Sequence, residues 1–311
     1  MTEAKLQINF TNDYDEACRL RDAGFEPIEC EFGQYGSVMG AFAMDHHGTE
    51  SHLDGVALRA CRDHYGALAE QAKFVVTGTP DADAVLAIVA LAGLVPRLTL
   101  EPGFYELVNA HDTDPIGIDL LETEQGIRLA WFNQLPKLSQ SERGFRRAIE
   151  AMRRLLTTGL SKDEIEKVVK SDRGRKRVAL DGLLQRLDRS GVELPIPDGL
   201  GTRPVCRGMN VLDEAARIAV VKSSVWGFDV WYRAAPIVVS YASRLKKVTV
   251  GCPDRDTAEA LFGPGGLECV WRHLGRGWGG RETIGGSPRG VEKTLGDTFE
   301  TARRITTMLK N

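Results

Sequence analysis

The stretch from Phe74 to Gly93 leaves this chain few folds to choose from. Phe74-Val75-Val76-Thr77 is β-branched enough to read as a buried strand. Gly78-Thr79-Pro80 turns the chain, and Asp81 to Ala92 reads as an apolar helix stopped at Gly93. Pro80 suits the first helical position, which places Asp81 and Asp83 in the first turn beside the positive end of the helix dipole. Two readings of the acids stay open. Acidic residues are favoured there as caps alone, and a strand, turn, Asp-x-Asp, helix succession is also how α/β enzymes place metal ligands at the carboxyl end of a sheet.

Two more clusters of acid and imidazole lie in the same part of the chain. Asp45-His46-His47-Gly48 follows an apolar run, Val38 to Met44, that reads as a strand. His111-Asp112-Thr113-Asp114 follows Tyr105 to Val108, which with Leu98 to Leu100 also reads as strand-like. Residues 5–10 alternate as a strand, Asp13 to Ala23 reads as a helix ended by Gly24, and Leu53 to Ala72 reads as a helix. Three such strand ends can converge on one edge of a parallel sheet. Two metal ions roughly 3.5–4 Å apart need several carboxylates, at least one of them bridging. Asp45, Asp81, Asp83 and Asp112 could supply them, with His46 and His111 as neutral nitrogen ligands. The plainer reading of His46 and His47 is as polar residues at a strand exit.

Composition narrows the classes further. The 311 residues suffice for two domains, and 42% hydrophobic with 27% charged residues is a globular balance. A formal net charge of −3 supplies no basic field, which disfavours long nucleic acid and membrane surfaces. The longest apolar run, Ala84 to Val95, is too short to span a bilayer. Met1-Thr2-Glu3-Ala4-Lys5 has no signal-peptide pattern, and six cysteines without a CxxC pair suit reduced thiols. A cytoplasmic protein without a structural zinc site is expected.

Further on, Gln125 to Gln134 and Glu142 to Leu156 read as helices, and Ser161-Lys162-Asp163-Glu164 is a capping box that starts another. The charged run Lys170 to Arg177 could touch phosphates or form a solvated helix face, offset by its acidic neighbours. Gly191 to Gly208 has the composition of a linker. Arg217 to Lys222, Ile237 to Tyr241 and Lys247 to Gly251 read as strands, Asp256 to Phe262 as a helix, and Val291 to Leu309 as an amphipathic helix. Between them Gly275 to Gly290 is dense in glycine. Its backbone N–H groups, Arg276, Arg281 and Arg289, and the hydroxyls of Thr283 and Ser287 suit an anion cradle; a flexible surface loop is the alternative.

These residues resemble the DHH phosphoesterase family. Asp45-His46-His47-Gly48 matches the motif that names the family. Thr77-Gly78-Thr79-Pro80-Asp81-Ala82-Asp83-Ala84 is similar to its His-x-Asn-Pro-Asp-x-Asp-Ala segment, and Gly279-Gly280-Arg281-Glu282-Thr283-Ile284-Gly285-Gly286 to the Gly-Gly-His-x-x-Ala-x-Gly segment of its DHHA1 domain. The order departs from the family, because the Asp-x-Asp segment here follows the triplet. Thr77 stands where the family has a ligand His, Arg281 where it has the DHHA1 His, and Ile284 where it has Ala. A rearranged member, a swap of roles between the acidic segments, and a domain that has lost its metal and only binds are the alternatives.

The resemblance implies an α/β protein. A parallel-sheet DHH-like domain at 1–190 and a linker at 191–208 would precede a smaller α/β DHHA1-like domain at 209–311. It implies a Mn²⁺- or Mg²⁺-dependent hydrolase with two ions, cleaving a phosphoester or phosphoanhydride in a nucleotide or short oligonucleotide. Metal ligands would be Asp45, His46, Asp81, Asp83, His111 and Asp112, and His46 and His47 would carry catalysis, His47 by orienting water, acting as general acid or ligating. Gly279, Gly280, Arg281, Gly285, Gly286 and Arg289 would bind substrate phosphate. A homodimer fits, and a non-catalytic nucleotide- or metabolite-binding protein is the alternative function.

Overall fold

Strand β3 (Lys73–Val76) is the centre from which the N-terminal half is built. In this computed structural model, which describes residues 6–46, 53–113, 118–135, 139–202, 213–288 and 290–309, the chain divides into two compact units. The first comprises residues 1–113 and 120–169, the second 114–119 and 170–311. The division falls inside one long helix, some way ahead of the glycine- and proline-rich segment expected to link the domains. That segment instead begins within a hairpin of the second unit.

The first unit opens with β1 (Gln7–Phe10), helix α1 (Tyr14–Asp22) and β2 (Glu26–Ile28). Asp13 caps α1 by accepting from the Glu16 N–H, and Gly24 leaves it at φ 85°, a backbone that glycine adopts without strain. Helix α2 (Val56–Asp63) precedes β3, and α3 (Ala82–Leu91) follows it. The three strands form a wholly parallel sheet in the order β1-β3-β2, with Phe10 and Ile28 both aligned on Val76. Phe74, Val75 and Val76 are buried on both faces, as a covered parallel sheet requires. Every residue of α3 is buried, so the apolar run around Ala84 to Val95 makes a central core helix packed against α2 and its neighbours. Among the described residues no helix is long and apolar enough to cross a membrane.

Three local expectations need correction. Helix α2 stops at Asp63 rather than running to Ala72, because Gly66 turns at φ 72° and its N–H, with that of Leu68, bonds the last carbonyls of α3 at Ala90 and Leu91. Residues 38–44 are not a strand: only Ser37 bridges, to Glu31, and the Ala41 and Phe42 N–H groups bond the buried Glu26 carboxylate. Tyr105 to Val108 is likewise no strand. It lies in α4 (Pro102–Thr113), whose buried Phe104, Tyr105 and Val108 recur at helical spacing, while Leu98 sits in a 3₁₀ turn.

Helices α5 (Glu124–Asn133), α6 (Glu142–Thr158) and α7 (Lys162–Asp181) complete the helical layer, capped by Thr123, Ser141 and the Ser161–Glu164 box. The last part of α7 belongs to the second unit. That unit continues with β4 (Leu183–Asp188), β5 (Glu193–Leu194), β6 (Ala216–Ser223), the short α8 (Phe228–Trp231), β7 (Ile237–Ala242) and β8 (Lys247–Gly251). It ends with α9 (Arg255–Phe262), α10 (Glu268–Leu274), β9 (Gly279–Gly280), β10 (Ile284–Gly286) and α11 (Leu295–Leu309). The seven strands lie in the order β5-β4-β6-β7-β8-β10-β9, antiparallel throughout except for β6 beside β7. Alternation along β6 fills both faces: Ile218 and Val220 join the core under α10 and α11, Ala219 and Val221 the core under α8. The molecule is thus mixed α/β, one unit built on a small parallel sheet and the other on a larger, mainly antiparallel one.

Candidate metal centre

The carboxyl edge of the parallel sheet gathers the charged residues of the first unit. Strand β2 ends at Ile28, and Glu29 turns off it at φ 49°, an uncommon backbone for a non-glycine residue. The Glu29 N–H bonds the Met44 carbonyl at 2.8 Å, which brings the segment carrying Asp45 and His46 beside the strand end. His46 Nε2 lies 2.7 Å from Glu29 Oε1, 3.3 Å from Asp112 Oδ2 and 3.4 Å from Asp83 Oδ2. Three elements and a loop therefore aim three carboxylates at one imidazole nitrogen. The side chains of His46 and Asp83 are 1% and 2% exposed, that of Glu29 9%.

Asp83 reaches the cluster from the first turn of α3, where its carboxylate accepts the Val56 and Ala57 N–H groups at 2.8 and 3.0 Å. Those donors open α2, so the dipole end of one helix holds an acid from another. Gly55 makes the approach possible: a Cβ there would lie 2.9 Å from Asp83 Oδ1 and 3.0 Å from Asn109 Oδ1. Asn109 accepts the Gly55 N–H at 2.5 Å, and Asp112 stands one turn further along the same face of α4.

Burial pushes the Asp83 carboxyl well above the ordinary carboxylate range, the nearby charges of Glu29 and Asp112 raise it further, and His46 opposes them. The two backbone donors favour the ionised form. Three carboxylates and one imidazole at a buried strand end are a donor set that can hold a cation. Glu29, His46 and Asp83 each offer a ligand atom, all within 4.8 Å of one another. Carboxylate oxygens with one imidazole nitrogen suit Mn²⁺, Mg²⁺ or Zn²⁺ better than a soft cation.

The sequence-predicted ligands are thus only partly assembled. His46, Asp83 and Asp112 meet. Asp81 is the N-cap of α3, its Oδ1 accepting the Ala84 N–H at 2.9 Å with Pro80 preceding the cap, so the capping reading describes it. Asp45 is fully buried, but outside the group that shares the 4.8 Å radius, as is His111 in the last turn of α4. His47 lies outside the described residues. Thr77, at the family's His position, is committed to Asn12 through a 2.9 Å hydroxyl bond. Glu29 was not foreseen; the signal for it is its place just past the short apolar segment Pro27-Ile28.

In the second unit the glycine segment is an edge hairpin. A Cβ at Gly280 would lie 2.3 Å from Gly285 Cα, and one at Gly285 2.4 Å from the Gly279 carbonyl oxygen, so close strand approach accounts for these glycines. The Arg281 N–H donates to the Ile284 carbonyl and its carbonyl accepts from Trp271 Nε1. The Ser287 hydroxyl, expected for an anion, accepts the Val248 N–H. Arg289 lies outside the described residues. The charged run of α7 has two sides: Lys170, Arg173 and Arg177 are exposed, as a solvated face requires, while Arg175 bonds Asp172 and Asp229, and Lys176 lies between Asp172 and Asp119.

Compared with known proteins, the chain matches no family model and no curated protein.

Proposed function

We propose that the chain is a metal-dependent phosphohydrolase acting on a small phosphorylated substrate, a nucleotide or a short oligonucleotide. What supports this reading is the convergence of Glu29, Asp83 and Asp112 on His46 Nε2 at the carboxyl edge of a parallel sheet. In it, Glu29, His46, Asp83 and Asp112 hold a divalent cation, Mn²⁺ or Mg²⁺. A cation there would supply positive charge against a phosphoryl oxygen and acidify water near neutral pH. Ligation requires Asp83 ionised, the form its two backbone donors favour, and His46 neutral. A second ion would draw on Asp45, Asp81 or His111. The resemblance to DHH phosphoesterases favours hydrolysis over binding alone. The Arg281 cation is proposed to contact substrate phosphate, as a permanent charge that cannot shuttle protons.

The test is a screen of phosphorylated metabolites with added Mn²⁺, repeated with Glu29→Gln and Asp112→Ala. Both variants are expected to lose turnover, and Arg281→Ala to raise KM with little change in kcat. Mn²⁺-independent turnover, or full turnover in Glu29→Gln, would remove the metal from the reaction. Nucleotide binding without turnover would favour the non-catalytic binding protein.

A further inference from the structure

Arg59 occupies the middle of α2, and its guanidinium is spent on backbone carbonyls. Nη2 donates to Asp45 at 2.7 Å, Nη1 to Ala43 at 3.0 Å and Nε to Asp54 at 3.0 Å. The rigid fork of a guanidinium matches two acceptors on one strand of chain; an ammonium cannot. The held segment needs holding. Ala43 sits at φ 50°, a left-handed backbone that is strained for a Cβ-bearing residue. On the other side, the Glu26 carboxylate accepts from the Ala41 and Phe42 N–H groups, and the Glu29 N–H donates to the Met44 carbonyl. From Ala41 to Asp45 each residue has a backbone group tied down, and the next residue is His46.

We propose that Arg59 is a positioning residue of the metal centre. It sets the place of His46 by clamping the strained turn at Ala43 and Asp45, not by touching the cation. This rests on the reading of Glu29, His46 and Asp83 as ligands. Outer groups that orient ligands typically change metal affinity about 10–100-fold when lost.

The experiment titrates Mn²⁺ alone into the full chain by calorimetry, for wild type, Arg59→Gln and Arg59→Lys, with thermal melts of the metal-free proteins alongside. Both variants are expected to raise Kd about 10–100-fold while metal-free melting moves by only a few degrees. Ala43→Gly, which removes the left-handed penalty, is expected to recover part of the affinity in the Arg59→Lys background, and carries the test if Arg59→Gln does not fold. Wild-type affinity in Arg59→Lys would overturn the proposal and leave the metal reading standing. So would a loss of affinity matched by an equal loss of metal-free stability. Absence of Mn²⁺ binding by the wild type would remove the metal reading itself, and the proposal with it.

Discussion

Two buried clusters of acids, one in each unit, differ in how their charge is balanced. Around Arg175 and Lys176, three carboxylates, Asp119, Asp172 and Asp229, face two cations in ion pairs. Around His46, three carboxylates face one imidazole. The first arrangement nearly neutralises itself and reads as architecture, tying α7 to α8 and to Trp226 just before it. The second gathers its acids on a titratable group and on backbone donors, with Asp83 almost fully buried and Asp112 open to solvent. Such a donor set can take up a proton or a metal.

The largest expected effect separates the clusters through their amides. Glu29→Gln keeps an acceptor for His46 but removes a ligand charge; it should lower Mn²⁺ affinity by on the order of 100-fold or more and leave the metal-free protein at least as stable. Asp229→Asn should do the reverse. It leaves Arg175 short of a partner and should cost about 2 kcal/mol in urea melts, discounted because Asp172 remains and the guanidinium is partly exposed. The same response from both would erase the distinction.

Next in size is the pH dependence. Asp83 binds its proton more tightly folded than unfolded, with Glu29, Asp112 and His46 facing it. Its contribution to metal-free stability is therefore greatest below the unfolded carboxylate pKa of about 4 and is lost as pH rises through the raised folded value. Saturating Mn²⁺ should invert that trend, since ligation needs the ionised acid. Urea melts across pH with and without metal decide it. The smallest effect concerns Asp81. As a cap it should lose about 1 kcal/mol on change to Ala and almost nothing on change to Ser, with Mn²⁺ affinity kept in both. Lost affinity in Asp81→Ser would return it to the ligand set.

The parts of the fold written in local chemistry were legible. β3, the turn and α3 follow from a β-branched run, Gly78 and an acidic cap, and β6, β7 and β8 from alternating valines and isoleucines. What failed depended on distant partners. Tyr105 to Val108 has strand-like composition, yet Pro102 opens a helix whose inner face is Phe104, Tyr105 and Val108. Glu29 was hidden because β2 is three residues long and contains Pro27, which local rules count against a strand; only its edge position beside β3 permits it. Asp81 and Asp83 share a motif but not an environment. The register of a helix start sends one to its own backbone and the other across to α2.

The most direct measurement is equilibrium Mn²⁺ binding to the full chain near neutral pH, with proton release recorded, for wild type and His46→Ala. Saturable binding with release of protons in the wild type, lost in His46→Ala, is the predicted result. Equal binding in the two proteins, or none in either, would contradict the account.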